Sequence, residues 1–183
     1  MAGKNRILSR QVRARLPTPT EREQLRDILN DAANEAPLQI FLAEHPSFLL
    51  RLLPPGAKIL LYDRPRLGSE YIPDFLISVN NSQGSHWICI ELENPTLRPM
   101  NKAGEMSRIL SHAIAQVNDW KDWVRDNVAY AREQLGLKGI SDSVAAWIVL
   151  GRRAEMNKRE QKRYAALNRL GIAVMSYDRL LGI

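Results

Sequence analysis

Apolar residues along this chain recur at helical spacing in some stretches and run as short unbroken blocks in others, and the alternation marks out the elements. Thr20 followed by Glu23 has the spacing of a capping box, which predicts a helix over about 20–35 that ends before Pro37. LQIFLAEHPSFLLRLL, residues 38–53, predicts a second helix that Pro46 must kink or divide and that Pro54, Pro55 and Gly56 terminate. KILLY, residues 58–62, reads as a short strand, and DRPRLGSE after it as a loop. The next strand is predicted over 71–79. NNSQG, residues 80–84, is turn chemistry because Asn and Gly tolerate positive φ, so a strand over 86–93 should return antiparallel as a hairpin. Ile109, Ala113, Val117, Trp120 and Val124 lay one apolar stripe along a helix predicted over about 104–134. A strand over 144–150, a basic helix over about 157–170, a short strand over 172–175 and a terminal turn over 177–181 complete an α/β order of helix, three strands, helix, strand, helix, strand.

The segment YIPDFLISVNNSQGSHWICIELENP, residues 71–95, carries carboxylates in otherwise hydrophobic strands. An ionised carboxylate taken out of water needs a partner, a set of hydrogen bonds or a cation, which singles out Asp74, Glu91 and Glu93. Side chains two apart on a strand share a face, so Glu91 and Glu93 lie on the side of Trp87 and Cys89, with Ile88, Ile90 and Leu92 on the other. If the hairpin brings Asp74 opposite them, three acids converge as oxygen donors suited to Mg²⁺, which keeps several waters and would polarise a phosphodiester. The bland alternative is an ion pair with Arg66, Arg98 or Lys102; Arg98 and Lys102 lie just beyond the acids and could equally approach a phosphate.

At 183 residues with 45% hydrophobic and 25% charged positions, the chain suits one domain, expected over 20–183, preceded by a basic arm over 1–19 with its hinge at Pro17 and Pro19. Cys89 is the only cysteine, which rules out an intrachain disulfide or multi-cysteine zinc site, fits a reducing compartment, and predicts a small buried hydrophobe. No apolar run approaches the roughly 18 residues of a membrane span and no signal peptide is legible, so a cytoplasmic protein without membrane contact is expected. Net charge is +6, and the cations cluster. Lys4, Arg6, Arg10, Arg13 and Arg15 precede the first acid, Glu21; Arg152, Arg153, Lys158, Arg159, Lys162 and Arg163 form a second group diluted by Glu155 and Glu160. Each group is either a solvated face or a contact for DNA phosphates. His45, His86 and His112 lack ligand spacing and read as structural, although His112 sits one turn before Gln116 and could face a cleft.

Pro73-Asp74 followed, after a turn, by Glu91-Leu92-Glu93 resembles the PD-(D/E)xK nuclease motif in its strand-hairpin context. More specifically, FLAEHPSFL, PDF, ELENP, AIAQVNDWKDWV, VLGRR and VMSYDRLL are similar to landmarks of the C-terminal nuclease domain of the Shedu anti-phage defence proteins, over about residues 35–182. The resemblance implies a core of helix, three strands, helix and strand around a mixed central sheet, and a Mg²⁺-dependent DNA endonuclease, with Mn²⁺ substituting, in bacterial phage defence. It implies that Asp74 and Glu91 ligate the metal. Glu93 stands where the pattern usually has lysine, and serves as general base or extra ligand, or marks a site that has lost activity. Gln116 matches a glutamine that many such nucleases carry on the helix after the third strand, to orient the carboxylates or touch a phosphate. Glu44 lies on the helix before the sheet, from which some members supply a further carboxylate. Cutting both strands of a duplex and the family's tendency to assemble imply a homo-oligomer, dimer or tetramer. Two rival readings are a nucleic-acid-binding or regulatory module of a defence complex that does not cut, and an oligomerisation module whose acids pair internally.

Overall fold

The computed structural model describes residues 6–101, 103–167 and 171–183. One six-stranded sheet runs in chain order: β1 (Arg10–Val12), β2 (Lys58–Asp63), β3 (Phe75–Asn81), β4 (Gly84–Leu92), β5 (Val144–Val149) and β6 (Ile172–Met175). The first four strands pair antiparallel and β5 and β6 join parallel, so the sheet is mixed and the protein α/β. Parallel neighbours need a crossover, supplied by α4 (Arg108–Asp126) and α5 (Val128–Glu133) before β5 and by α6 (Lys158–Ala166) before β6. Helices α1 (Pro19–Asp31), α2 (Ala36–Glu44) and α3 (Ser47–Leu50) precede β2, and α7 (Tyr177–Leu181) closes the chain.

Alternation along β4 assigns the two faces. Ile88, Ile90 and Leu92 pack with Phe75, Ile77, Ile59 and Leu61 under α1, α2, α3 and α7. Trp87 and Cys89 face the other way, onto Leu110, Ala113, Val117, Trp120 and Val124 of α4 and Tyr164 of α6. Cys89 is fully buried, and desolvation pushes its thiol up to about 12, which keeps it an inert packing group. No helix among the described residues is long and apolar enough to cross a membrane.

Several boundaries differ from the sequence pattern for local reasons. The capping box of α1 is Thr18 with Glu21, not Thr20 with Glu23, because Pro19 occupies the first helical turn. Glu21 also accepts from the Arg15 guanidinium and meets His45 Nδ1 at 3.1 Å, so its carboxyl is held well below the usual range and both partners serve structure. The segment read as an arm contributes β1, which pairs with β2 at the sheet edge, a role without periodicity in three residues. Pro46 divides the second helical run into α2 and α3, as expected. The long helix begins four residues late at the Ser107 cap, and Asn127, at φ −123° and ψ 24°, splits it into α4 and α5. Its buried stripe starts at Leu110, with Ile109 only partly covered. The end of the basic helix predicted over 157–170 falls partly outside the described residues.

Gly151 joins β5 to the basic segment at φ +66°, and a Cβ there would collide with the Leu97 carbonyl. Gly151→Ala is expected to destabilise the protein by more than about 1 kcal/mol in urea unfolding. Leu8→Ala, at a side chain 89% exposed, should change stability by less than about 0.5 kcal/mol in the same measurement.

Candidate metal centre

Hairpin register determines the geometry of the acids. The last β3–β4 pair is Phe75 with Ile90, and one further step aligns Asp74 with Glu91 on neighbouring strands. By alternation both leave the sheet on the α4 side. There the Gln116 Nε2 donates to Glu91 Oε1 at 2.8 Å, so the helix that follows the hairpin clamps the second acid. Asp74 Oδ2 accepts from the Leu92 N–H at 2.9 Å, across the end of the ladder, and its own carbonyl accepts from the Arg64 N–H. Arg64 sits at φ +44°, the one positive-φ residue other than glycine among those described, at the turn leaving β2. Glu93, just past β4, is fixed through its backbone: its N–H donates to the Val149 carbonyl, and its carbonyl accepts from the buried Tyr177 hydroxyl at 2.8 Å.

A fourth carboxylate comes from a position that sequence reasoning missed. Glu35, immediately before α2, raises the proton affinity of Asp74, Glu91 and Glu93 alike by its charge. The α1–α2 link that carries it is tied to the end of β4 by Asn94 Nδ2, which donates to the Ala33 carbonyl at 2.7 Å. Glu44, the acid singled out on this helix, lies at its far end, exposed, in a separate hollow with Arg10 and Asp63. The available signal was Pro37, which marks the helix start and so puts Glu35 at the end nearest the strand termini.

Burial and mutual repulsion dominate the electrostatics of the cluster. Desolvation, then the charges of Asp74 and Glu93, lift the Glu91 carboxyl to about 9 against a small opposing effect from Gln116. Glu93 rises to about 7 through desolvation and then Glu35, and Asp74 to about 6 through desolvation, moderated by Leu92 N–H and Arg64. Tyr177, below them, is raised well above its ordinary value for the same reasons. None of these acids forms an ion pair with any described residue: Arg98 pairs with Glu160 at 3.1 Å and Arg152 with Asp178 at 2.9 Å. Lys102 lies outside the described residues. No three His, Cys, Asp or Glu side chains among the described residues form a ready cage for a metal ion. Mg²⁺ does not require one, since one or two carboxylates with water and substrate oxygens suffice, and Asp74 with Glu91 fits that pattern.

The remaining candidates divide. His112 is exposed and shares a hollow of about 300 Å³ with Gln116, Glu70 and Asp119, beside the acids rather than among them. His45 and Arg152 are engaged internally, and the basic segment is therefore less uniform than its sequence. Lys158, Arg159, Lys162 and Arg163 are exposed on α6, while Glu160, which diluted the cluster in sequence, turns inward to cap the helix and bind Arg98. Arg163 lies against Gly104 in the loop that follows the acidic strand, so this cationic face borders the same end of the sheet as the carboxylates.

The class is thus an α/β protein with a mixed sheet and a crowded carboxylate site at the end of its central hairpin, where β4 meets the parallel strands. The chain belongs to the family of the C-terminal region of Shedu protein SduA, whose model matches residues 32–181. That span includes every member of the acidic cluster and α6, and leaves out β1 and α1. The Shedu family is an anti-phage defence family. No curated protein matches the chain.

Acids with raised pKa values bind more protons folded than unfolded, so without a cation the native state should lose stability as pH rises from the ordinary Glu value of 4.5 towards about 9. Glu91→Gln, which keeps the shape and removes the charge, is expected to stabilise the metal-free protein by on the order of 1–2 kcal/mol at pH 8. Urea unfolding in EDTA reads this directly, and the gain should vanish near pH 4. Added Mg²⁺ should raise the midpoint of the native protein and leave Glu91→Gln nearly unmoved.

Proposed function

We propose that this chain is a PD-(D/E)xK-type nuclease domain that hydrolyses phosphodiester bonds in DNA with Mg²⁺, Mn²⁺ substituting, as an effector of anti-phage defence. The observation that carries the reading is the approach of Asp74, one residue before β3, to Glu91 at the end of the hairpin, both half-buried, the charge of Asp74 raising the proton affinity of Glu91, and neither in an ion pair among the described residues. Evolution-neutral packing gives no reason to keep such an arrangement, because an unpaired buried acid costs stability. A divalent cation removes the cost.

Asp74 and Glu91 would hold the ion, which supplies charge neutralisation and polarises the scissile phosphate. Gln116 fixes Glu91 through its Oε1, and the Leu92 N–H fixes Asp74 through its Oδ2, which leaves one oxygen of each carboxylate for the ion. Glu93, raised to about 7, has a proton affinity suited to taking a proton from the attacking water near neutral pH. A lysine at that position would instead have supplied positive charge. Arg64, whose charge acts on Asp74, is the described cation that offers such compensation. Glu35 adds a fourth acid to the rim. The exposed cations Lys158, Arg159, Lys162 and Arg163 give the DNA backbone a surface at the same end of the sheet, contributing affinity that carries no sequence information. Assembly into a dimer or tetramer would let two such sites break both strands.

Glu93 in the lysine position favours one other reading, a DNA-binding regulatory module that does not cut. Plasmid nicking separates the two. With Mg²⁺ the native chain is expected to nick supercoiled DNA, EDTA to stop it, and Asp74→Ala to lower the rate by about 10³-fold or more while DNA affinity stays within about twofold. Glu93→Gln should lower the rate by about 10²–10⁴-fold and flatten the acidic limb of the pH profile. DNA binding with no Mg²⁺-dependent nicking would decide for the regulatory module.

A further inference from the structure

Away from the acids, β6, α6 and α7 enclose a cavity of about 380 Å³, within the range of small-molecule sites at roughly 300–1,000 Å³. Its chemistry is divided. Met156, Tyr164 and Val174, which share one core cluster, give it an apolar side, and the exposed residues Arg153 and Arg179 line it as well.

Other arginines on this side of the protein are already engaged. Arg152 binds Asp178, Arg98 binds Glu160, and Arg51 donates to the Arg179 and Leu180 carbonyls. The Arg153 and Arg179 side chains, by contrast, have no hydrogen-bond or ion-pair partner among the described residues, although Asp178 lies between them in the fold and takes the Arg153 backbone N–H. Ser176 adds a third polar group. A serine directly before a helix ordinarily turns its hydroxyl onto that helix's own N–H groups, but Ser176 makes no such bond, and it lines the cavity while only 7% exposed.

We propose that this cavity binds a small anion of mononucleotide size, its phosphate held by Arg153 and Arg179 and its flat body laid on the methionine and valine wall. Guanidinium forks match phosphate oxygens, and thioether side chains adapt to a planar ring. Both arginines line one concave, partly apolar hollow, a shape that takes one charged group with a body attached. A duplex backbone would instead need a convex cationic face of the kind α6 offers. The proposal is independent of the nuclease reading, since it requires only binding.

Isothermal titration calorimetry of the full chain with AMP and GMP at 0.15 M salt tests it, with inorganic phosphate as the probe for charge alone. Saturable one-to-one binding is expected, tighter for a nucleotide than for phosphate, and reduced about tenfold or more by Arg153→Ala and by Arg179→Ala. Both side chains are exposed, so the variants should keep the native unfolding midpoint. Arg26→Ala, an exposed cation on α1, should bind as the native chain does. Absence of binding at millimolar nucleotide, equal affinity for phosphate, or an equal loss in Arg26→Ala would each overturn the proposal.

Discussion

Like charges forced together at the end of one hairpin are the constraint from which the remaining features follow. Backbone ladders on both sides hold β4 in register, so Asp74 and Glu91 cannot separate without breaking the pairing that buries Phe75 and Ile90. The repulsion is accommodated locally rather than relieved. Leu92 N–H and Gln116 each satisfy one carboxylate oxygen, while Tyr177 and Val149 secure the backbone of Glu93. Every one of those partners sits on a different element, which makes the cluster the point at which both faces of the sheet meet.

Positive charge is distributed in a complementary way. Where a cation serves the fold it is paired and partly covered, as Arg15 is by Glu21, Arg98 by Glu160 and Arg152 by Asp178. Exposed cations occur on several elements, Arg26 on α1 and Arg179 on α7 among them, but α6 groups four of them beside the end of the sheet that bears the carboxylates.

How much of this was legible varies with the kind of signal each element leaves. The hairpin was readable because NNSQG supplies turn chemistry between two apolar runs, and alternation along β4 correctly assigned Trp87, Cys89 and Glu91 to one face. Pro46 announced the break between α2 and α3 because a ring without an N–H interrupts any helix. β1 was not readable: three residues, of which only Val12 is partly covered, carry no period, and their strand conformation depends on β2 offering a free edge. Nor was the split at Asn127, since apolar spacing continues across it. Glu35 looked like any polar residue between helices, and its importance comes from Asn94, far along the chain, pulling its loop to the strand end. The cationic run from Arg152 to Arg163 was legible as a cluster diluted by Glu155 and Glu160, but not that Asp178 would pair with Arg152 or that Glu160 would turn inward to Arg98.

By itself, then, the order of residues determined which segments become strands or helices, which side chains share a face, and that three acids sit near one turn, because these depend on spacing along the backbone. Tertiary structure alone decided which of the acids come near one another, that the charge of Glu35 before α2 acts on them, and which arginines are engaged in internal pairs. Those outcomes rest on contacts between residues distant in the chain, and on the partial loss of solvent that raises the proton affinity of these carboxylates.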